Sequence, residues 1–420
     1  MTQAAASMTT ALAAVRHAES ELLLSTYERY PVLFRRGRGC YLYDAEGKRY
    51  LDFVSGIGVN ALGYGHPAVR KALKQQADRL IHISNLFYHD YQAELARRLT
   101  KISGLDRAFF TNSGTEAVEG ALKLARAYAH MHSANGGRPR WRVLTMSNSF
   151  HGRTFAALAA TGTKKYRAPF EPLVPGMRFV RFNDVRDLER KFDASVCAVL
   201  LEPIQGEGGI RPVTREFISR ARALTRKHNA LLIADEIQCG LGRTGRYFAY
   251  QEHGILPDVV VVAKPLAAGL PLGAILASDR VAACFHPGIH GTTFGGGPLA
   301  CAVAIAFLET LEREHLLKYV QQVGKYLGER LQELAKKYDF VKALRGHGVM
   351  FGMELNSGDL AKSVVREMLA SGVIINRTHE TVLRFLPPFI IQEKHVEVLS
   401  KTLDSVFSGA VKQPGRDANS

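Results

Sequence analysis

Four consecutive valines, Val259 to Val262, run into Ala263, Lys264 and Pro265. β-Branched side chains suit a pleated strand covered on both faces, and the proline forces the chain out of regular structure, so this is a buried strand that stops at the lysine. A lone lysine after a strand ordinarily lays its stem along the surface and keeps its ammonium in water. Held among valines instead, the ammonium costs on the order of several kcal/mol unless it is paired, loses its proton or condenses with a carbonyl. The last is the chemistry of a Schiff-base lysine. The rest of the chain decides between the two.

With 420 residues, 46% apolar and 22% charged, the chain is long enough for two lobes with separate cores, and neither disordered nor fibrous. No stretch offers eighteen uninterrupted apolar residues, which argues against a membrane span. The net charge of +16 raises nucleic acid as a partner, but the basic residues are scattered beyond short clusters at Arg35, Arg36 and Arg38 and at Lys164 and Lys165. The excess reads as solvated surface biased toward small anions, with no nucleic-acid partner. Five cysteines, at 40, 197, 239, 284 and 301, show no Cys-x-x-Cys spacing. Neither a disulfide framework nor a metal site is indicated, and a reducing cytoplasm fits.

In chain order, residues 1–25 read as a flexible leader. Residues 26–66 carry short apolar runs split by Pro31, Gly37, Gly39 and the turn Asp44-Ala45-Glu46-Gly47, which is hairpin grammar. From Pro67 a helix is expected with Val69, Leu73 and Leu80 on one face, and strands and helices then alternate to about 308, the signature of a mostly parallel, doubly wound α/β sheet. Residues 309–408 begin with one long amphipathic helix and continue as a smaller α+β lobe that the N-terminal hairpins join. Residues 409–420 are a polar tail.

Several strand ends carry chemistry. Ala108 to Tyr128 reads as a strand, then Ser113-Gly114-Thr115, then a helix with Ala117, Ala121, Leu124 and Tyr128 at helical spacing. Unpaired N–H groups, two hydroxyls and the positive end of the dipole meet there, which makes a phosphate seat. Successive strands end in Glu202 and Glu207, in Asp235, and in Lys264, placing all of them on one sheet edge, where ligands of open α/β sheets bind. A fourth strand leads to Phe150 and His151, candidate ring-stackers, and to Arg153, a carboxylate fork. Gly240-Leu241-Gly242-Arg243-Thr244-Gly245 satisfies the dinucleotide fingerprint and is the basis for a rival reading as a nicotinamide-dependent oxidoreductase. Its turn comes too late after the strand and lacks a small-residue helix start, so it reads as a loop.

These motifs, namely Asn112 to Ala117, Phe150 to Arg153, Glu202 to Gly209, Asp235 to Gln238 and Lys264, resemble the class III, fold-type I aminotransferases that use pyridoxal 5′-phosphate. The stretches 58–67 and 84–88 look most like the acetylornithine members. The resemblance implies that Lys264 carries the cofactor as a Schiff base and shuttles the proton, while Asp235 keeps the pyridine nitrogen protonated. It implies Ser113, Gly114, Thr115, His151 and Thr293 as further cofactor contacts, Phe150 and Ile237 on the two ring faces, and Gln238 on the 3-oxygen. Arg153 and Thr292 would bind substrate, and Glu207 with Arg384 would form a salt-bridge switch between amine and oxo acid. Thr292 and Thr293 would serve a neighbouring subunit, implying a homodimer with its active sites at the interface. The implied reaction moves the δ-amino group of N2-acetylornithine to 2-oxoglutarate, as in arginine biosynthesis. Ornithine, succinyldiaminopimelate, 4-aminobutyrate and acetyl-lysine are alternative donors. Two positions depart from the family pattern: Pro265 follows the lysine in place of a small residue, and Gly297 stands in place of asparagine.

Overall fold

The computed structural model describes residues 3–133 and 140–412. Its centre is a seven-stranded sheet built from Arg107–Thr111 (β4), Arg142–Met146 (β5), Met177–Val180 (β6), Val196–Leu201 (β7), Leu231–Asp235 (β8), Val259–Val262 (β9) and Gly273–Ala277 (β10), in the order β4-β10-β9-β8-β7-β5-β6. All pairings are parallel except those of β10, which runs antiparallel to both β9 and β4. The four valines of β9 are fully buried. Removing each such side chain from water contributes about 1.5 kcal/mol or more, which a strand covered on one face could not collect twice over.

Around this sheet the elements follow the apolar spacing. Gly114–Met131 (α4) buries Ala117, Ala121, Leu124 and Tyr128 against it, and Pro67–Ala77 (α2) forms after a His66 cap. That helix stops before Leu80, which is exposed. Phe34–Arg38 (β1), Tyr41–Asp44 (β2) and Arg49–Asp52 (β3) form an antiparallel meander, turning through residues 44–47 as the sequence indicates. Val373–Ile374 (β13) adds to β3 in parallel, so the N-terminal strands and the C-terminal lobe share a sheet. A second sheet in that lobe orders Val341–His347 (β11), Met350–Leu355 (β12), Val382–Phe385 (β15) and Asn376–Thr378 (β14) as β11-β12-β15-β14, all antiparallel.

Three expectations change. Gln3–Leu22 (α1) is helical where a flexible leader is expected, as its alanine content favours. The single long helix after residue 308 is two, Pro298–Arg313 (α6) and Leu316–Lys337 (α7), separated by His315 in left-handed conformation (φ 50°). The break lets Leu308 and Leu311 pack with the large sheet's helices while Leu316, Val320, Val323, Leu327, Leu331 and Leu334 turn to the C-terminal lobe. Finally, Glu393–Lys412 (α9) runs four residues into the segment expected to be a polar tail; residues 413–420 lie outside the described residues.

Helix α7 crosses the β11–β12 turn so closely that a Cβ added at Gly324 would sit 2.1 Å from the Gly348 carbonyl oxygen. The obstacle is backbone and cannot rotate away. Gly324→Ala should therefore destabilise the protein by about 1–3 kcal/mol in urea unfolding. An alanine variant as stable as the parent would contradict this packing.

Candidate active site

The sequence places reactive groups at strand ends, and the sheet order makes those ends neighbours. Ala234 pairs with Leu201 and Asp235 with Val261, so Glu202, Asp235 and Lys264 leave adjacent strands on the same edge. They converge on a cavity of about 440 Å³ lined by Ser113, Gly114, Thr115, Phe150, His151, Arg153, Ile237 and Gln238 as well. After Pro265, Ala268 (φ 46°) and Gly269 (φ 118°) turn the chain back so that Leu270, Pro271 and Leu272 close another wall.

At the cavity floor Asp235 is 3% exposed and its Oδ2 lies 2.7 Å from His151 Nδ1, while Oδ1 accepts the Ile237 N–H at 3.1 Å. The His151 ring is buried, and its Nε2 has no hydrogen-bond partner among the described residues. Beneath them Glu202 accepts the N–H groups of Phe150 and Gly206, both at 3.1 Å. Burial pushes its carboxyl up to about 7, with His151 pulling down and Asp235 adding repulsion. Lys264 has no hydrogen-bond or ion-pair partner among the described residues. Burial lowers the pKa of its amine, and the charges of Glu207 and Asp235 offset part of that drop.

The helix α4 end is built as a cradle. Ser113 Oγ caps it from 3.3 Å at the Glu116 N–H, and Glu116 reaches back to the Asn112 N–H at 2.9 Å. Its floor has no room for side chains: a Cβ on Gly114 would meet Ile237 at 2.8 Å, one on Gly152 the Thr115 hydroxyl at 2.2 Å, and one on Gly273 the Ser113 carbonyl at 2.6 Å. The first N–H groups of an eighteen-residue helix thus open on the cavity.

Behind Gln238 lies a second wall. Arg384, 1% exposed, donates from Nη1 to Glu207 in a short ion pair and to Gln238 Oε1 at 3.3 Å, and from Nε to Asn376 Oδ1 at 3.1 Å. Thr378 holds Glu207 through its backbone oxygen at 2.7 Å and its carboxylate at 3.2 Å. Burial raises the Glu207 pKa, but the Arg384 charge and hydrogen bond outweigh it and leave the carboxyl below its usual range. Arg153, by contrast, is exposed at the cavity mouth, stacks 4.0 Å from the Tyr166 ring centroid, and pairs with no carboxylate among the described residues.

A family model described as aminotransferase class-III matches residues 24–407. The chain belongs to the class-III aminotransferases. Among its relatives, an acetylornithine aminotransferase from Methanocaldococcus jannaschii is 46% identical over 392 residues, covering 93% of this chain and 97% of that one. One from Aquifex aeolicus is 46% identical over 376 residues, covering 89% and 96%. Of the solved structures, ornithine aminotransferase from Toxoplasma gondii superposes with TM-score 0.91 at 33% identity, covering 96% of both chains. Acetylornithine aminotransferase from Elizabethkingia anophelis superposes with TM-score 0.83 at 30% identity, covering 95% and 99%. This aminotransferase therefore has the fold-type I architecture, and the residues present fit pyridoxal 5′-phosphate. The glycine-floored helix end suits a phosphate, the buried Asp235 with its His151 partner suits a ring nitrogen, and the unpaired Lys264 amine suits a carbonyl.

Of the residues singled out from sequence, Ser113, Gly114, Thr115, Phe150, His151, Arg153, Asp235, Ile237, Gln238 and Lys264 line one cavity of the aminotransferase. Glu207 and Arg384 stand behind it, joined to it by Gln238. Thr292 and Thr293 do not; they line a separate cleft with Asn85, Phe87 and Tyr88, tied to the phosphate cradle through Asn112 Nδ2, 3.2 Å from Thr292 Oγ1. Gly297, one of the two departures, precedes α6 and lies outside the cavity. Sequence reasoning missed Val59, Tyr166, Asn376 and Thr378, which stand in no strand-end pattern. The Gly240–Gly245 segment is a buried turn, not the opening of a helix.

Glu202 is held protonated in the fold up to about 7 but ionises near 4.5 when unfolded. The unfolded chain therefore binds fewer protons between these values, and stability falls as pH rises through them, by about 1.4 kcal/mol per pH unit for each such group. Glu236, likewise pushed up to about 7 by burial, adds a second. In the cofactor-free protein, thermal stability should drop across this window and Glu202→Gln should flatten the slope. A parent with flat stability there would contradict the assignment.

Proposed function

We propose that this aminotransferase moves the δ-amino group of N2-acetylornithine to 2-oxoglutarate, giving N-acetylglutamate 5-semialdehyde and glutamate. The observation that carries the reading is a pair of arginines in opposite states around one amine: Arg153 open at the mouth and Arg384 neutralised by Glu207 in the wall. An ω-amine donor presents its carboxylate far from the reacting carbon and meets Arg153. An oxo acid with two carboxylates needs one more cation close to the reacting carbon, and displacing Glu207 frees Arg384 for it. The names of the relatives point to the same donor.

Bound pyridoxal 5′-phosphate supplies the electron sink for the carbon that loses its proton. The chain's own residues do the rest. Ser113, Gly114 and Thr115 hold the phosphate at the helix end, and Phe150 and Ile237 shape the apolar space for the ring. Asp235, oriented by His151, holds a proton at the ring nitrogen, and Gln238 reaches the ring's oxygen. Lys264 Nζ, its pKa lowered by burial, is the base in the cavity that would take a proton from the substrate carbon and return it.

The reading includes a cytoplasmic homodimer in which Thr292 and Thr293 reach the neighbouring subunit's phosphate and substrate. Its supports are the five free, buried cysteines and the exposed Leu86, Phe87, Tyr88 and Phe294 around the cleft that holds both threonines. Among the described residues no helix is long and apolar enough to cross a membrane. Ornithine, succinyldiaminopimelate, 4-aminobutyrate and acetyl-lysine would meet the same groups, and competition assays rank them.

Glutamate formation from N2-acetylornithine and 2-oxoglutarate should saturate with both substrates. Arg384→Ala should raise KM for 2-oxoglutarate by about tenfold to a hundredfold while changing the amine half-reaction far less. Arg153→Ala should instead weaken both substrates, because each presents a carboxylate far from the reacting carbon. Turnover restricted to a different amine would overturn the donor assignment and leave the chemistry standing.

A further inference from the structure

The segment Gly240–Gly245 matches a dinucleotide loop in sequence, yet it is a buried turn that opens no helix and lines no part of the cavity. Its side chain of note is Arg243, 1% exposed and among the largest fully buried side chains of the described residues. The guanidinium donates to the Pro387 carbonyl in a short bond and to the carbonyls of Val349 and Gly58 at 3.5 Å each, with the Phe389 ring centroid 4.6 Å from its carbon. Its own carbonyl accepts the Val349 N–H at 3.0 Å. No carboxylate forms an ion pair with it among the described residues; Asp52 acts only through its field, and burial pushes the guanidinium down to about 9.

A buried cation with no direct ion-pair partner, offset only by the field of Asp52, is costly, and an apolar side chain of similar volume would ordinarily serve stability better. What an arginine alone provides is a rigid fork that engages several carbonyls at fixed angles. Here those carbonyls come from three distant stretches. Gly58 closes a run of four left-handed residues, Ser55 (φ 47°), Gly56 (φ 65°), Ile57 (φ 61°) and Gly58 (φ 82°), that delivers Val59 to the cavity. Two of these are not glycine, and such a run persists only where its surroundings impose it. Val349 lies in the β11–β12 turn. Pro387 stands three positions beyond Arg384 on the same chain. The first and third stretches are laced together as well: the Ser55 hydroxyl donates to the Leu386 carbonyl at 2.5 Å, and the Leu386 N–H donates to Phe53 at 2.6 Å.

We propose that Arg243 is a positioning residue for the oxo-acid half of the reaction: its fork fixes the Leu386–Phe389 segment against the Gly58 turn, so that Arg384 stands at the cavity wall with the reach its ion pair with Glu207 requires. The inference rests on the role given to Arg384 above.

The test uses the cofactor-loaded protein and glutarate, an unreactive dicarboxylate of the same length as 2-oxoglutarate. The parent must bind glutarate and turn over 2-oxoglutarate; its failure to do either would defeat the reading of Arg384 before any variant is made. In Arg243→Lys and Arg243→Met the Kd for glutarate, by calorimetry, and the KM for 2-oxoglutarate should each rise about tenfold, while the amine half-reaction changes less than about twofold. Lysine should not rescue, because one ammonium cannot span three carbonyls. Equal losses in both half-reactions, a fall in thermal stability alone, or restored glutarate binding in Arg243→Lys would overturn the proposal. Should both variants fail to fold, Phe389→Leu, which removes the ring beneath the guanidinium and keeps the charge, should weaken glutarate in the same direction by a smaller factor. Unchanged affinity there would overturn it equally.

Discussion

The structure depends on one costly placement, an amine held at the end of a fully buried strand with nothing among the described residues to pair it. Lys264 can stand there because four valines are covered on both faces and because the next residues, Pro265 to Gly269, turn away sharply enough to leave its Nζ in open space. An ammonium in that position is destabilised, so the free base gains weight and the amine is poised to condense with a carbonyl or take up a proton. Satisfying Lys264 within the chain would make the fold cheaper and the chemistry impossible.

The surrounding charges keep this arrangement from collapsing into a simple ion pair. Asp235, a strand-end acid, is turned toward His151, and Glu207 is taken by Arg384 and Thr378. Glu202 is pushed toward its neutral form. Each carboxylate that could have neutralised Lys264 is thus committed elsewhere or discharged, and each commitment has a second use. The His151 partner orients Asp235, and in the proposed reaction the ion pair with Glu207 would keep the Arg384 cation in reserve for the oxo acid. The parallel order of β7, β8 and β9 makes such convergence inexpensive, since neighbouring strands deliver their last residues to one edge without long loops.

Much of this is legible in the sequence because strand ends and helix starts leave local marks. The valine run, the Ser113-Gly114-Thr115 helix start and the acids closing β7 and β8 identify the sheet edge and most of the cavity from spacing alone, and the family motifs supply roles for Phe150, Gln238 and Arg384. What escapes is set by long-range packing. Tyr166 reaches Arg153, Asn376 and Thr378 reach Arg384 and Glu207, and Val59 enters through a left-handed turn, none with a periodic signature. The break at His315 was hidden because both flanking helices are amphipathic, and only their different partners separate them. Arg243 illustrates the converse: a motif was visible, but its meaning lies in carbonyls more than a hundred residues away.

The central claim is that Lys264 is the amine that holds the cofactor. The most direct measurement loads the protein with pyridoxal 5′-phosphate, reduces it with borohydride and maps the labelled peptide by mass. The account predicts one phosphopyridoxyl group per chain, on Lys264 alone, and none on that peptide in Lys264→Ala. Stoichiometric label on a different lysine, or no label on the parent protein, would contradict it.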